Sequence, residues 1–258
     1  MRKTLKQLMA LKNMQKLAMV TAYDAWMATM ADEAVDIILV GDSLGMVVQG
    51  QSSTLPVTLD EMIYHTKMVS RASSNAFLVM DLPFLSYQTS VKDALRNAGR
   101  CLKETMAQMV KLEGGTRVLP QIKALSDSGI PIMGHLGLTP QSIHSIGSYV
   151  KQAKTKKEAD LLINEALQVE KAGASMIVLE NIPHDLAKIV TNELKIQTIG
   201  IGAGPSCDGQ VQVFHDLLGL YPNFSPRHAV NFLKLGKKIQ KAIRQYAEKV
   251  RMDELISE

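Results

Sequence analysis

Six apolar runs of strand length in this chain each stop at a residue suited to chemistry. Residues 37–40 lead into Asp42 and Ser43, 77–80 into Asp81, and 109–110 into Lys111 and Glu113. Residues 130–133 lead into His135, 176–179 into Glu180, and 198–201 into Gly202. Gly41, Pro83, Gly114, Gly134 and Gly202 lie within two residues of five of these ends. Short apolar runs bounded by turn formers read as buried strands of a parallel sheet. In a parallel barrel the carboxyl ends of the strands converge on one rim, where active sites lie. Residues scattered from Asp42 to Glu180 can therefore share one pocket.

Between the runs lie helical stretches, at about residues 62–72, 91–106, 120–128, 156–172 and 184–194. Residues 4–13 read as a short amphipathic helix and 17–24 as a first strand. Residues 211–214 are a candidate eighth strand ending in His215-Asp216, and 229–252 a long final helix carrying Phe232, Leu233, Ile239, Ile243 and Tyr246. Pro120 fits a first helical turn, where its missing N–H does no harm. This alternation predicts an α/β fold with a parallel sheet. The length of 258 residues matches a single (β/α)8 barrel of ~250 residues, so residues 1–258 are read as one domain. The rival is a doubly wound open sheet. It usually carries a Gly-rich phosphate turn at its first strand. Here the Gly41–Gly45 segment follows the second strand and lacks the GxGxxG spacing.

Composition narrows the classes. Cys101 and Cys207 are far apart and outside any metal-like spacing, which fits a reduced, cytoplasmic protein. No apolar run approaches the ~18 residues of a membrane span, and the basic N-terminus lacks the apolar core and cleavage site of a signal peptide. The net charge of +4 is concentrated at the ends, with Arg2, Lys3, Lys6, Lys12 and Lys16 in residues 1–23 and eight basic residues from 227 to 251. Solvated helix faces account for this, and no nucleic-acid-binding pattern accompanies it.

Side chains at i and i+2 of a strand share a face. Lys111 and Glu113 therefore point together, and Asp42, Asp81, His135 and Glu180 pair with Val40, Val79, Met133 and Val178. If these faces look inward, one site holds acids, a lysine and a histidine. Asp42, Asp81 and Glu113 form an oxygen-only set suited to Mg²⁺, although each acid alone is more simply a salt-bridged or capping residue. Ser43 either donates a hydrogen bond to an anionic substrate or caps the next helix. Lys111 needs a partner to be buried, either Glu113 or a substrate carboxylate. His135 alone reads as a hydrogen-bonded core histidine. Glu180 ends a fully apolar strand, where burial suits it to proton transfer. His215-Asp216 reads as structural.

Several of these segments are long and unusual. Residues 40–46 (VGDSLGM), 53–58 (STLPVT), 81–84 (DLPF), 110–115 (VKLEGG), 134–141 (GHLGLTPQ) and 200–204 (GIGAG) resemble the ketopantoate hydroxymethyltransferases, in that family's order, from about residue 21 to 232. The resemblance implies a (β/α)8 TIM barrel of the phosphoenolpyruvate/pyruvate type with an N-terminal helix. It implies transfer of a hydroxymethyl group from 5,10-methylenetetrahydrofolate to 3-methyl-2-oxobutanoate, giving 2-dehydropantoate in pantothenate biosynthesis. By the same resemblance, Asp42, Asp81 and Glu113 belong to a Mg²⁺ site, Glu113 directly or through water. Ser43, Asp81 and Lys111 contact the keto acid with His135 nearby, Glu180 accepts the proton, and the assembly is a homodecamer.

One segment departs from the family pattern. Where the family usually carries Gly-Gly-Tyr-Lys-Val-Gln-Gly, this chain reads Gly147-Ser148-Tyr149-Val150-Lys151-Gln152-Ala153. Loss of two glycines stiffens such a loop. Two other readings stand beside the transferase: a Mg²⁺-dependent 2-keto-acid lyase or aldolase of the same superfamily, working without folate, and a catalytically silent barrel that serves as an oligomeric binding protein.

Overall fold

The apolar runs become strands of one closed parallel barrel in the computed structural model, which describes residues 1–221 and 229–252. The strands are β1 (Leu17–Thr21), β2 (Ile37–Val40), β3 (Phe77–Asp81), β4 (Met109–Glu113), β5 (Ile132–Gly137), β6 (Met176–Glu180), β7 (Gln197–Ile201) and β8 (Gly209–Gln212). Each pairs in parallel with its sequence neighbour. The helices are α1 (Leu5–Met9), α2 (Ala25–Ala31), α3 (Leu44–Val47), α4 (Leu59–Ala72), α5 (Val91–Thr105), α6 (Leu119–Asp127), α7 (Ile143–Ile146), α8 (Lys156–Lys171), α9 (His184–Glu193), α10 (Phe214–Leu218) and α11 (Leu235–Arg251). The chain divides into two compact units, Met1–Val211 and Gln212–Glu258. Among the described residues no helix is long and apolar enough to cross a membrane.

In the first unit the barrel interior is filled by alternate strand residues: Met19, Leu39, Val79, Met109, Met133, Val178, Ile199 and Val211 form one buried cluster. Helix α1 belongs to this unit's core. Thr4 and Gln7 cap it reciprocally, Leu8 is fully buried in the cluster, and the Leu8 carbonyl accepts from Gln197 Nε2 at 2.7 Å. The outer helices start where local chemistry starts them. Thr58 with Glu61 and Thr155 with Glu158 make capping boxes for α4 and α8, Ser90 caps α5, and Pro120 sits in the first turn of α6.

Several boundaries differ from the sequence reading, each for a visible reason. The first strand stops at Thr21 rather than residue 24, because the Asp24 side chain accepts from Met27 N at 2.8 Å and opens α2. The eighth strand runs over Gly209–Gln212, two residues earlier than its apolar pattern suggests. Gly209 pairs with Ile199, and a Cβ there would stand 2.6 Å from the Leu17 carbonyl oxygen, so glycine permits the close approach. His215 and Asp216 consequently lie in α10, not at a strand end. Residues 202–208 join β7 to β8 without a helix.

In the second unit, α10 ends at Gly219 in the left-handed conformation, φ +57°. The Leu217 carbonyl accepts from Phe232 N, and the Gly219 carbonyl from Gly236 N, each at 2.9 Å. This backbone pairing competes with helix initiation. The last helix therefore begins at Leu235 instead of residue 229, leaving Phe232 and Leu233 ahead of it. Residues 222–228 and 253–258, which include Arg227 of the basic C-terminal stretch, lie outside the described residues.

Candidate active site

Parallel register alone brings most of the singled-out residues together. Asp81 on β3 pairs with Lys111 on β4, Glu113 with His135 on β5, and Gly137 with Glu180 on β6. The inward alternation continues from the core: Val79 to Asp81, Met109 to Lys111 and Glu113, Met133 to His135, Val178 to Glu180. The carboxyl ends of four strands thus present their polar side chains to one mouth.

Asp42 reaches the mouth differently. The inward residues of β2 are Ile37 and Leu39, so strict alternation would next turn Gly41 inward and pair Asp42 with the outer face. The strand ends at Val40, and the chain turns at Gly41 instead. The Asp42 N–H donates to Asp81 Oδ2 at 3.0 Å. A Cβ on Gly41 would meet Ser43 Oγ at 2.8 Å and Asp81 Oδ2 at 3.4 Å, so this tight turn depends on glycine. Ser43 precedes α3 without capping it. Its Oγ instead lies 2.8 Å from the Tyr23 hydroxyl.

The buried partner of Lys111 is Asp81, at 2.9 Å between Nζ and Oδ1, where the sequence reading offered Glu113 or a substrate carboxylate. His135 stands between two acids, with Nε2 3.1 Å from Glu180 Oε2 and Nδ1 3.5 Å from Glu113 Oε1. Lys111 Nζ is 3.4 Å from the same Nδ1. Asp42, Asp81, Lys111, Glu113 and His135 are all buried. Glu180 keeps 14% of its side chain exposed, so the fully buried setting expected for it is only partly met.

Sequence reasoning missed two residues that complete this arrangement. Gln141, just past β5, donates from Nε2 to Asp42 Oδ2 at 2.8 Å and to the Leu82 carbonyl at 2.9 Å. Its backbone N–H donates to Glu113 Oε2 at 2.9 Å. The fully buried Tyr87 hydroxyl lies 2.9 Å from Gln141 Oε1 and 3.0 Å from the Glu113 carbonyl. Neither residue titrates near neutrality, so a scan for ionisable groups passes over both. The one hint was the position of Gln141 in the GHLGLTPQ segment.

The charges are strongly coupled. Burial, then the charges of Asp81 and Glu113, push the Asp42 carboxyl well above the usual range. Burial raises Asp81 as well, against the pull of Lys111. Burial alone would lower Lys111, but Asp81, Glu113 and Asp42 hold it above its ordinary value. Burial and Lys111 oppose a charge on His135, yet the adjoining Glu113 and Glu180 carry it up to about 9. The 147–153 loop adds Tyr149, whose hydroxyl is 3.6 Å from Met46 Sδ. Burial, then the charges of Glu180, Asp42 and Glu113, raise the pKa of this hydroxyl and disfavour its ionisation.

The donor set bears on a cation. Among the described residues no three His, Cys, Asp or Glu side chains converge closely enough to hold a metal ion unaided. Glu113 has its two oxygens turned to Gln141 N and to His135. Asp42 and Asp81 lie together at the mouth, Asp81 with its oxygens on Asp42 N and Lys111 Nζ, and a buried acid such as Asp42, whose carboxyl is driven up by neighbouring acids, is one that a cation would relieve. Mg²⁺ characteristically takes one or two protein carboxylates and fills its shell with water and substrate oxygens. The residues present fit that pattern.

Comparison with known proteins places the chain. A profile of the ketopantoate hydroxymethyltransferase family matches residues 2–255. The 3-methyl-2-oxobutanoate hydroxymethyltransferase of Moorella thermoacetica is 52% identical over 252 residues, covering 97% of this chain and 94% of the relative. Among solved structures, 2,3-dimethylmalate lyase, a PEP mutase/isocitrate lyase superfamily member, aligns over 96% of this chain and 87% of its own, with a TM-score of 0.61 at 17% identity. Phosphonopyruvate hydrolase in complex with oxalate and Mg²⁺ covers 97% of this chain and 88% of its own, with a TM-score of 0.65 at 10% identity. The expected (β/α)8 barrel is thus the fold observed, and these solved structures share it. The chain belongs to the ketopantoate hydroxymethyltransferase family and is a transferase.

Proposed function

We propose that this chain transfers a hydroxymethyl group from 5,10-methylenetetrahydrofolate to 3-methyl-2-oxobutanoate, giving 2-dehydropantoate for pantothenate biosynthesis. The observation that carries the reading is the partly exposed Glu180 carboxylate at the barrel mouth, 3.1 Å from a buried His135, beside the Lys111–Asp81 pair. In the balanced reaction C3 of the keto acid loses its proton and bonds to the one-carbon unit. Water supplies the hydroxyl oxygen, and tetrahydrofolate leaves.

Glu180 is the base that takes the C3 proton. His135, with Nε2 3.1 Å from Glu180 Oε2, orients the Glu180 carboxylate. Lys111 offsets the negative charge of the keto acid and of the enolate that follows. Ser43 donates to the substrate carboxylate. Asp42 and Asp81 would hold Mg²⁺, with Glu113 contributing through water. When bound, Mg²⁺ supplies Lewis-acid polarisation of the carboxylate and keto oxygens and so favours the enolate. The burial of these side chains limits bulk water around them, while one water must still reach the one-carbon unit to supply its hydroxyl oxygen.

The phosphonopyruvate hydrolase structure, with oxalate and Mg²⁺ together, supports a keto-acid chelate on a barrel of this type. Residues 1–258 are read as one (β/α)8 domain in a cytoplasmic homodecamer, with small-molecule partners and neither nucleic acid nor membrane. The test is product formation from 3-methyl-2-oxobutanoate and Mg²⁺ with and without methylenetetrahydrofolate. A hydroxymethyl product that depends on folate is expected. Cleavage of the keto acid, or enolisation that gives no hydroxymethyl product when folate is present, would instead assign the chain to the lyases of the same superfamily.

A further inference from the structure

One neutral side chain ties the acids of the mouth to the loops that carry them. Gln141 uses every hydrogen-bonding position of its amide. Nε2 donates to Asp42 Oδ2 (2.8 Å) and to the Leu82 carbonyl (2.9 Å). Oε1 accepts from the Tyr87 hydroxyl and from Gln88 Nε2, each at 2.9 Å. These partners fix the sense of the amide, because a flip would set its NH₂ against the Gln88 NH₂ and its oxygen against the Asp42 carboxylate. The backbone N–H of the same residue holds Glu113 Oε2 at 2.9 Å. A single buried residue after β5 thus grips an acid from the turn after β2 and an acid from β4, and it leans on the segment after β3.

Tyr87 reinforces the arrangement. Its hydroxyl accepts from Glu113 N at 2.9 Å while lying against Gln141 Oε1, so the backbone that carries Glu113 and the amide that grips Asp42 are set by one atom. A network in which every member is satisfied is rigid and specifies one geometry. Outer partners of this kind orient ligands around a cation.

We infer that Gln141 is a positioning residue for the cation and keto acid. It commits one oxygen of Asp42 and one of Glu113 to itself, so that Asp42 keeps its other oxygen for what binds in the mouth while the other oxygen of Glu113 faces His135. The inference rests on the Mg²⁺ reading given above. Tyr87 acts one step further out, by holding the amide in the sense that offers NH₂ to Asp42.

The test is Mn²⁺ binding to the full-length, metal-stripped protein without substrate, read from the free-ion EPR signal, alongside thermal unfolding. Gln141→Leu keeps the backbone N–H to Glu113 and removes the amide. It should weaken Mn²⁺ binding by roughly tenfold or more while the protein remains folded. Tyr87→Phe leaves the amide present but unheld and should weaken binding by a smaller factor; it decides the matter alone if Gln141→Leu does not fold. Folded variants that bind Mn²⁺ as the wild type does would overturn the inference and leave Gln141 a purely structural residue, with the Mg²⁺ reading intact. Failure of the wild type itself to bind Mn²⁺ would overturn the Mg²⁺ reading and the inference with it.

Discussion

Gly137 and Glu180 are register partners on neighbouring strands, and a Cβ on Gly137 would stand 2.2 Å from the Glu180 carbonyl oxygen. That oxygen already accepts the Leu138 N–H at 2.8 Å. Gly137 also has a φ of +91°, which a side chain strains against. The backbone that carries the proposed base is therefore seated on a glycine, and its position depends on there being no side chain at 137.

Gly137→Ala should be damaging in two ways. The left-handed backbone and the clash together should lower stability by about 2 kcal/mol or more. The surviving folded protein should lose turnover, because Glu180 is displaced. Urea unfolding and initial rates on the purified variant measure both; wild-type turnover in Gly137→Ala would show that the seating of Glu180 is not critical.

Much of this site was legible in the sequence because a parallel barrel converts one-dimensional punctuation into a shared rim. Asp81, Lys111, Glu113, His135 and Glu180 followed from alternation, and their side chains meet. Asp42 was found for the wrong geometric reason, since the chain turns at Gly41 rather than continuing the pleat. The partner of Lys111 was not legible, because register between strands decides that Asp81, not Glu113, lies 2.9 Å away. The roles of Gln141 and Tyr87 were not legible, because hydrogen-bonding roles leave no periodic trace; only the place of Gln141 in the GHLGLTPQ segment hinted at it. The eighth strand was shifted because its start depends on Gly209 fitting against Leu17 rather than on hydropathy.

The departure in the 147–153 loop has a structural counterpart. Ala153 has a φ of +53°, a left-handed conformation that costs a non-glycine residue about 1 kcal/mol. It occupies the place where the family pattern usually has glycine. The loop is held at Gln152 N, which donates to the Asn181 carbonyl at 2.8 Å, one residue past Glu180. Ala153→Gly should relieve the strain but loosen the free chain, leaving overall stability within about 1 kcal/mol of wild type. It should increase the rate of proteolytic nicking within 147–153, which limited proteolysis with mass spectrometry would show.

Asp32 supplies a prediction away from the site. Its carboxylate accepts from Ser74 N (2.8 Å), Asn75 N (3.0 Å) and Ala76 N (2.9 Å), pinning the chain just before β3. Burial works against its charge, but these N–H donors prevail and hold the acid below its ordinary 3.8. A depressed folded-state value stabilises the protein above the unfolded value and ceases to do so as pH falls through the folded one. Asp32→Asn should therefore cost about 1–3 kcal/mol at pH 7 by leaving buried donors unpaired. The gap from wild type should narrow as the pH drops below 3.8. Denaturant titrations of both proteins across that range measure it, and a gap that does not change with pH would contradict the ionised-carboxylate account.

The central claim is that Glu180 removes the C3 proton of a 2-keto acid at this barrel mouth. Proton NMR of 3-methyl-2-oxobutanoate with Mg²⁺ in D₂O, with wild type and with Glu180→Gln, tests it most directly. The account predicts loss of the C3 proton signal with wild type, slowed by about 10² or more in the variant, as for a lost general base. Adding methylenetetrahydrofolate should then bring up a hydroxymethyl signal with wild type. Exchange at the wild-type rate in Glu180→Gln, or no exchange with either protein under turnover conditions, would contradict it.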